Sequence, residues 1–271
     1  MVCFFYGIIH RDEVSHDIRV MQKTCNTAKN RKKMEDKDLE KILWEDKSIA
    51  DVRLSEKDRS EVLRYIGYSG QEMSEELEGK IAEVMDKTSD AATPRVIVAS
   101  FDISDGWSES LKKIFIGEDI KKHLEGCKEV LLMGATLGSG VDRAIHIEEM
   151  RDPIASLIMD SSGSTLIEAV CDTFEANLRK QYQEQGKYLT TRFSPGYGDV
   201  PLAVQNDFGQ VIEARRIGLT MTPEHIMIPR KSVTAIIGVA DHPLKKRKKT
   251  CMDCNLHESC RFRKMGVVCG E

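Results

Sequence analysis

The sequence predicts an α+β fold. Helically spaced segments and short apolar strand runs follow one another without the regular βαβ alternation of a doubly wound sheet. The chain has 271 residues, 41% hydrophobic and 31% charged, which suits one large domain or two small ones with a sizeable core. Its apolar runs, such as 95–100 and 232–240, fall far short of the roughly 20 residues of a membrane helix, so no membrane association is expected.

The N-terminal stretch is the least structured in pattern. Residues 22–41 are dominated by Lys, Arg, Asp, Glu and Asn, with too little apolar surface to offset their ordering entropy. Residues 1–45 are therefore expected to be a poorly ordered or solvated extension. The first ten residues carry no basic n-region and no small-residue cleavage site, so a cytoplasmic location is expected.

From Ser55 the punctuation is clear. Ser55 to Asp58 has the form of a capping box, and Val62, Leu63 and Ile66 then recur at helical spacing until Gly67 and Gly70. Residues 73–88 give a second helix, with Leu77, Ile81, Val84 and Met85 on one face. Strands are predicted at 96–101 and 128–133, with a helix at 119–124 between them. Residues 141–150 read as a helix with Ile145 and Met150 inward. From Pro153 to Gln185 the apolar spacing gives one or two long helices, with Gly163 as the point of a kink or break. A strand at 188–193, a helix at 201–213 and strands at 226–228 and 232–239 complete the body, taken as residues 46–244.

The glycines after Met133 invite a nucleotide reading, but the pattern does not fit one. Gly140 is followed by Val141 and Asp142, not by the Lys-Ser/Thr pair of a phosphate loop. The spacing G-x-x-x-G-x-G also departs from the dinucleotide fingerprint. A tight strand-to-helix turn with close backbone packing is the better account.

Charge and cysteine are concentrated at the C-terminal end. Residues 245–271 hold eight Lys/Arg and three Asp/Glu, or +5, against −4 for the whole chain, so the body carries −9. A mildly acidic body argues against nucleic-acid binding. The run Lys245 to Lys249 reads as a solvated linker. Cys251, Cys254, Cys260 and Cys269 follow with C-x2-C-x5-C-x8-C spacing. Four thiolates suffice for a tetrahedral zinc or for an iron–sulfur cluster, and the spacing does not decide between them. Cys171, inside an apolar helical run, reads as a small buried residue and not as a nucleophile.

The segment around Arg192 has a different character. A strand delivers Arg192, and Pro195 with Gly196 then forces a turn. Such an arginine can clamp a carboxylate through two parallel hydrogen bonds. Gly196 lets a backbone approach a ligand, and Tyr197 offers a flat face to a cation or ring. Together these residues can hold a small zwitterion; an ordinary Pro-Gly turn fits them equally well.

The stretch Thr191-Arg-Phe-Ser-Pro-Gly-Tyr-Gly-Asp-Val-Pro201 resembles the R-P-A-P-G-Y-P-x-x-P signature of the activation domain of cobalamin-dependent methionine synthase. The segments 218–223, 227–229, 232–235 and 242–243 follow that domain's order of features. The helix Glu61 to Tyr68 and the cysteine tail are similar to those of its stand-alone relatives from anaerobic bacteria. The likeness covers roughly residues 50–244. It implies a curved, mainly antiparallel sheet flanked by helices, with the cysteine-rich tail appended. It further implies that Arg192, Ser194, Gly196 and Tyr197 bind S-adenosylmethionine. The partner would then be a corrinoid protein, or a methionine synthase lacking its own activation domain, whose cob(II)alamin is reductively methylated with an electron from a reducing electron-transfer protein.

The chain departs from the family at three places. No clear equivalent of the upstream D-W-T aspartate is present, Asp105-Gly-Trp107 being only superficially alike. Ile236-Ile237 replaces a tyrosine pair, and Asp199 stands near where the family has a cysteine. Two alternatives follow from the residues: a metal protein acting in electron transfer through its tail, or a non-catalytic module that binds a corrinoid protein.

Overall fold

The structure, a computed structural model, describes residues 42–68 and 70–244. In chain order the first half contains β1 (Ile42–Asp46), α1 (Arg59–Tyr65), α2 (Glu75–Ala91), β2 (Arg95–Asp102), α3 (Glu109–Lys112), α4 (Glu118–His123) and β3 (Glu129–Thr136). The second half adds α5 (Ser139–Arg151), α6 (Pro153–Glu184), β4 (Tyr188–Leu189), α7 (Gln205–Val211), β5 (Thr220–Met221), β6 (Met227–Ile228) and β7 (Ser232–Ala240). Five strands form one antiparallel sheet in the order β1-β2-β3-β7-β4, and β5 and β6 make a separate hairpin. The fold is α+β with a mainly antiparallel sheet flanked by helices, as the sequence predicts.

Both faces of the sheet are buried, which explains why its strands read as continuous apolar runs. Side chains alternate along a strand. Val96 and Val98, Leu131 and Met133, and Ala235 and Ile237 point to one face, where α1, α2, α5 and α6 cover them. Ile97 and Ala99, Val130 and Leu132, and Ile236 point to the other, against α3, α4 and α7. Ile236 and Ile237 are both 0% exposed, one in each core. The two positions at which the chain lacks the family's tyrosine pair are thus core positions on opposite faces.

Local chemistry starts the helices where the sequence places them. Ser74 caps α2 by accepting from the Leu77 N–H. Asp152 caps α6 by accepting from Ile154 and Ala155, with Pro153 in the first turn, where its missing N–H costs nothing. Lys80 of α2 reaches the same Asp152 carboxylate at 2.8 Å and ties the two helices together. Among the described residues one helix, α6, is long and apolar enough to pass for a membrane span, but 67% of its apolar window is buried inside the fold, so it is the central core helix.

The glycine-rich turn is a packing device. Gly138 takes φ +75° as the N-cap of α5, and a Cβ there would strike the Thr93 hydroxyl. A Cβ on Gly140 would strike the carbonyl of Ala91, so the start of α5 can lie against the end of α2 only without one. Gly134 belongs to β3 and not to the turn, since it pairs with Ile97 and Thr234 in the sheet; Ile212 packs where its side chain would be.

Several elements differ from expectation. The sheet begins at Ile42, ahead of the boundary expected at residue 46, because β1 pairs along β2 from Ile42↔Ser100 to Asp46↔Val96. Gly163 breaks nothing: α6 runs unbroken, and the missing Cβ gives room to the Lys231 stem and to Val141. Met150 is 78% exposed; it lies five residues beyond Ile145, about 140° round the helix from the buried face. The strand expected at 188–193 is interrupted after Leu189. There the Thr190 hydroxyl, not a backbone carbonyl, accepts from the Gly238 N–H at 2.8 Å, and only Phe193 rejoins the sheet, opposite Ile236. The helix expected at 201–213 is a 3-10 turn at Leu202–Val204 followed by α7.

Candidate functional site

Arg192 hangs between the edge of the sheet and α6. Arg179, on α6, donates to the carbonyls of Leu189 and Thr190 at 2.7 and 3.0 Å, which fixes the chain just before Arg192. Phe193, just after it, exchanges two backbone hydrogen bonds with Ile236, at 3.0 and 2.7 Å. Held on both sides, the guanidinium turns onto a row of acids on α6. Its Nη2 donates to Glu168 at 3.1 Å and to Asp172 at 2.7 Å, and its Nε lies 3.6 Å from Glu175.

These three carboxylates stand at i, i+4 and i+7, on one face of the helix. Glu175 also pairs with Arg179 in the next turn. The Arg192 side chain is 19% exposed, while Glu168 and Asp172 are half-exposed or more. Burial alone would lower the Arg192 pKa, but the surrounding anions reverse this and hold it above its ordinary value. Burial raises the Glu168 carboxyl; Arg192 opposes the rise, and the like charges of Asp172 and Glu61 add to it. One group is left over. The Nη1 of Arg192 is buried and has no hydrogen-bond partner among the described residues.

Helix α1 borders this cluster. Glu61 and Arg64 form an ion pair, and the Arg64 guanidinium lies 4.7 Å from the centre of the Tyr65 ring. Burial, then the negative charge of Glu61, raises the Tyr65 hydroxyl's pKa.

The turn after Arg192 is anchored separately. Tyr197 donates its N–H to Ser194, Val200 donates to Tyr197, and Gly196 donates to Val200 at 3.0 Å. Gly196 has φ +89°, a conformation that a side chain would strain. Asp199 accepts from the Glu118 and Asp119 N–H groups at the start of α4. The residue that departs from the family pattern is thus the loop's anchor to the body. Tyr197 is 68% exposed, and no hydrogen bond or ring contact joins it to Arg192 among the described residues.

The structure therefore places Arg192 in a charged cluster and Ser194, Gly196 and Tyr197 in an adjoining turn, of which Gly196 and Tyr197 are exposed. Sequence reasoning missed Glu168, Asp172 and Glu175. Their spacing within an otherwise apolar helix was the available signal. Cys171, on the same helix, is fully buried, and burial pushes its thiol up to about 12, in keeping with a packing role. Two surface hollows lie elsewhere, one beside Lys80 and Asp152 and one beside Pro153 and Arg230; neither is lined by Arg192. No group of His, Cys, Asp and Glu suited to a metal occurs among the described residues. Cys251, Cys254, Cys260 and Cys269 lie outside the described residues.

The fold is that of a known domain class. A solved structure described as the MetH reactivation domain bound to AdoHcy superposes with a TM-score of 0.52 over 86% of this chain and 87% of that chain. Sequence identity between the two is 14%, so the likeness is one of fold. No family model matches the chain, and no curated protein does.

Proposed function

We propose that this protein binds S-adenosylmethionine at Arg192 and the Ser194–Tyr197 turn and supports reductive methylation of the cobalt of a corrinoid partner. The observation that carries this reading is the buried, unpartnered Nη1 of Arg192, set beside a Pro-Gly-Tyr turn on a reactivation-domain-like fold. A carboxylate is the natural acceptor for that N–H. In this reading Nη1 donates to the methionyl carboxylate and the backbone at Ser194 and Gly196 approaches the ligand. The exposed Tyr197 ring faces the sulfonium or adenine. The bound ligand supplies the methyl group, and a reducing electron-transfer protein supplies the electron. The partner is a corrinoid protein or a methionine synthase without its own activation domain. We further propose that the four tail cysteines hold zinc or an iron–sulfur cluster, which metal analysis and the absorption spectrum of the purified chain distinguish.

Calorimetric titration of S-adenosylmethionine into the full chain tests the main reading. Arg192→Ala should weaken binding by about 2–4 kcal/mol, roughly 30- to 1,000-fold. Tyr197→Ala should weaken it without moving the melting temperature, because that side chain is exposed. Absence of binding to the intact chain overturns the reading.

A further inference from the structure

The corner where α5 meets α6 carries apolar surface that the described residues leave uncovered. Ile147, Met150, Ile154 and Leu157 are 38%, 78%, 55% and 54% exposed. They are four of the eleven exposed large hydrophobic side chains described, and all lie in one short stretch of chain. This is a patch and not the usual scatter. Beside it is an open hollow of about 360 Å³, lined by the apolar Ile145, Pro153 and Leu157 and by the charged Glu149, Asp160 and Arg230. The charges are of both signs. Asp160 pairs with Lys231 at 2.9 Å and lies 3.9 Å from Arg230, and Glu149 meets His146 at 3.1 Å. On α5, Arg143 stands two turns before Met150 on the same face, and Arg151 follows Met150. Neither arginine makes an ion pair among the described residues.

This mixture restricts what can cover the patch. A uniformly acidic or uniformly basic partner would meet its own sign of charge on part of the rim. An isologous contact between two copies instead needs one surface to supply knob and hole, acid and base, to its own duplicate. The corner has all four: the projecting Met150, the adjoining hollow, the carboxylates of Glu149 and Asp160, and the unpaired Arg143 and Arg151. We propose that it is a homodimer interface. Each copy seats its Met150 in the hollow of the other about a twofold axis and brings Arg151 to Glu149. Leu157 and Glu168 are eleven residues apart on α6, roughly 16 Å along the helix, so the contact stands clear of Arg192 and its turn. The inference does not depend on the ligand reading given under Proposed function.

The test is sedimentation velocity on the full chain across the micromolar range, with a reductant present so that no cysteine links two copies. The wild-type chain should sediment as a dimer at the upper end of that range. Met150→Glu should weaken dimerisation about tenfold or more, because it carries a charge into an apolar hollow edged by carboxylates. Its melting temperature, taken at a concentration where both chains are monomeric, should match wild type, since the side chain is exposed. Ile226→Glu, an equally exposed apolar position on β6's hairpin, is the control and should leave the dimer intact. A wild-type chain that stays monomeric overturns the proposal and leaves the corner to a different protein. A dimer untouched by Met150→Glu overturns it as well, and so does one that both substitutions weaken equally.

Discussion

Asp199 closes the N-terminus of a helix far away in the chain: its carboxylate accepts from the backbone N–H of Glu118 at 2.6 Å and of Asp119 at 3.1 Å. Gly117 and Gly198 make the approach possible, since a Cβ on either would strike the side chain of Asp199 or Asp119. These hydrogen bonds hold the Asp199 carboxyl below its ordinary value of 3.8. A depressed carboxylate contributes stability that is present above its unfolded pKa and lost as pH falls through the folded one. Asp199→Ala should therefore lower the melting temperature by a few degrees at neutral pH. Thermal scans against pH should show that difference vanishing well below pH 3.8.

Removing the Arg192 guanidinium takes its cation away from Glu168 and Asp172 and leaves Glu175 with Arg179. Arg192→Met should destabilise the protein by about 2 kcal/mol, less than a fully buried pair because Glu168 and Asp172 reach solvent. Neutralising the acids should recover much of that loss. A double-mutant cycle by urea unfolding, pairing Arg192→Met with Glu168→Gln plus Asp172→Asn, reads the coupling directly.

Glu168→Gln by itself should act in the opposite sense. The Glu168 carboxyl is raised, first by burial, despite Arg192. A raised carboxylate favours the folded state in its protonated form, so the charge weighs against folding above the folded pKa and has no effect below the unfolded value of 4.5. The variant should melt slightly higher than wild type at pH 7 and equally at pH 4.

Gly140→Ala tests the packing of α5 on α2. The added methyl group meets the Ala91 carbonyl, which belongs to a helix end and cannot swing aside as a side chain can. A loss of about 3 kcal/mol is expected by chemical denaturation, against the gain of helix propensity that alanine normally brings.

The core was far more legible than the site. The long apolar spacing from Ile154 to Leu178 identifies α6, and the runs at 96–101 and 232–239 identify two central strands, because burial on both faces leaves no charged residue within them. Strand β1 was hidden because its five residues become a strand only by pairing with β2. Gly163 was misleading for a related reason: its partner, Lys231, arrives from far along the chain, and helix propensity carries no record of it. Arg192 and the turn after it are visible as a motif. Their acidic counterparts are also visible as spaced acids, but only the fold brings Arg192 beside them.

The order of the strands also bears on how the protein can be handled. One side of the sheet ends in β4, too short to attract another strand, while the other is closed by β1 lying along the eight-residue β2, six of whose residues are buried. A chain shortened to begin at residue 50, where the family likeness starts, would lose that cover. It would offer the β2 hydrogen-bonding edge to any neighbouring molecule. Such a fragment should associate and precipitate even with Arg192, its acid cluster and the following turn all in place, so solubility would be the first property to fail.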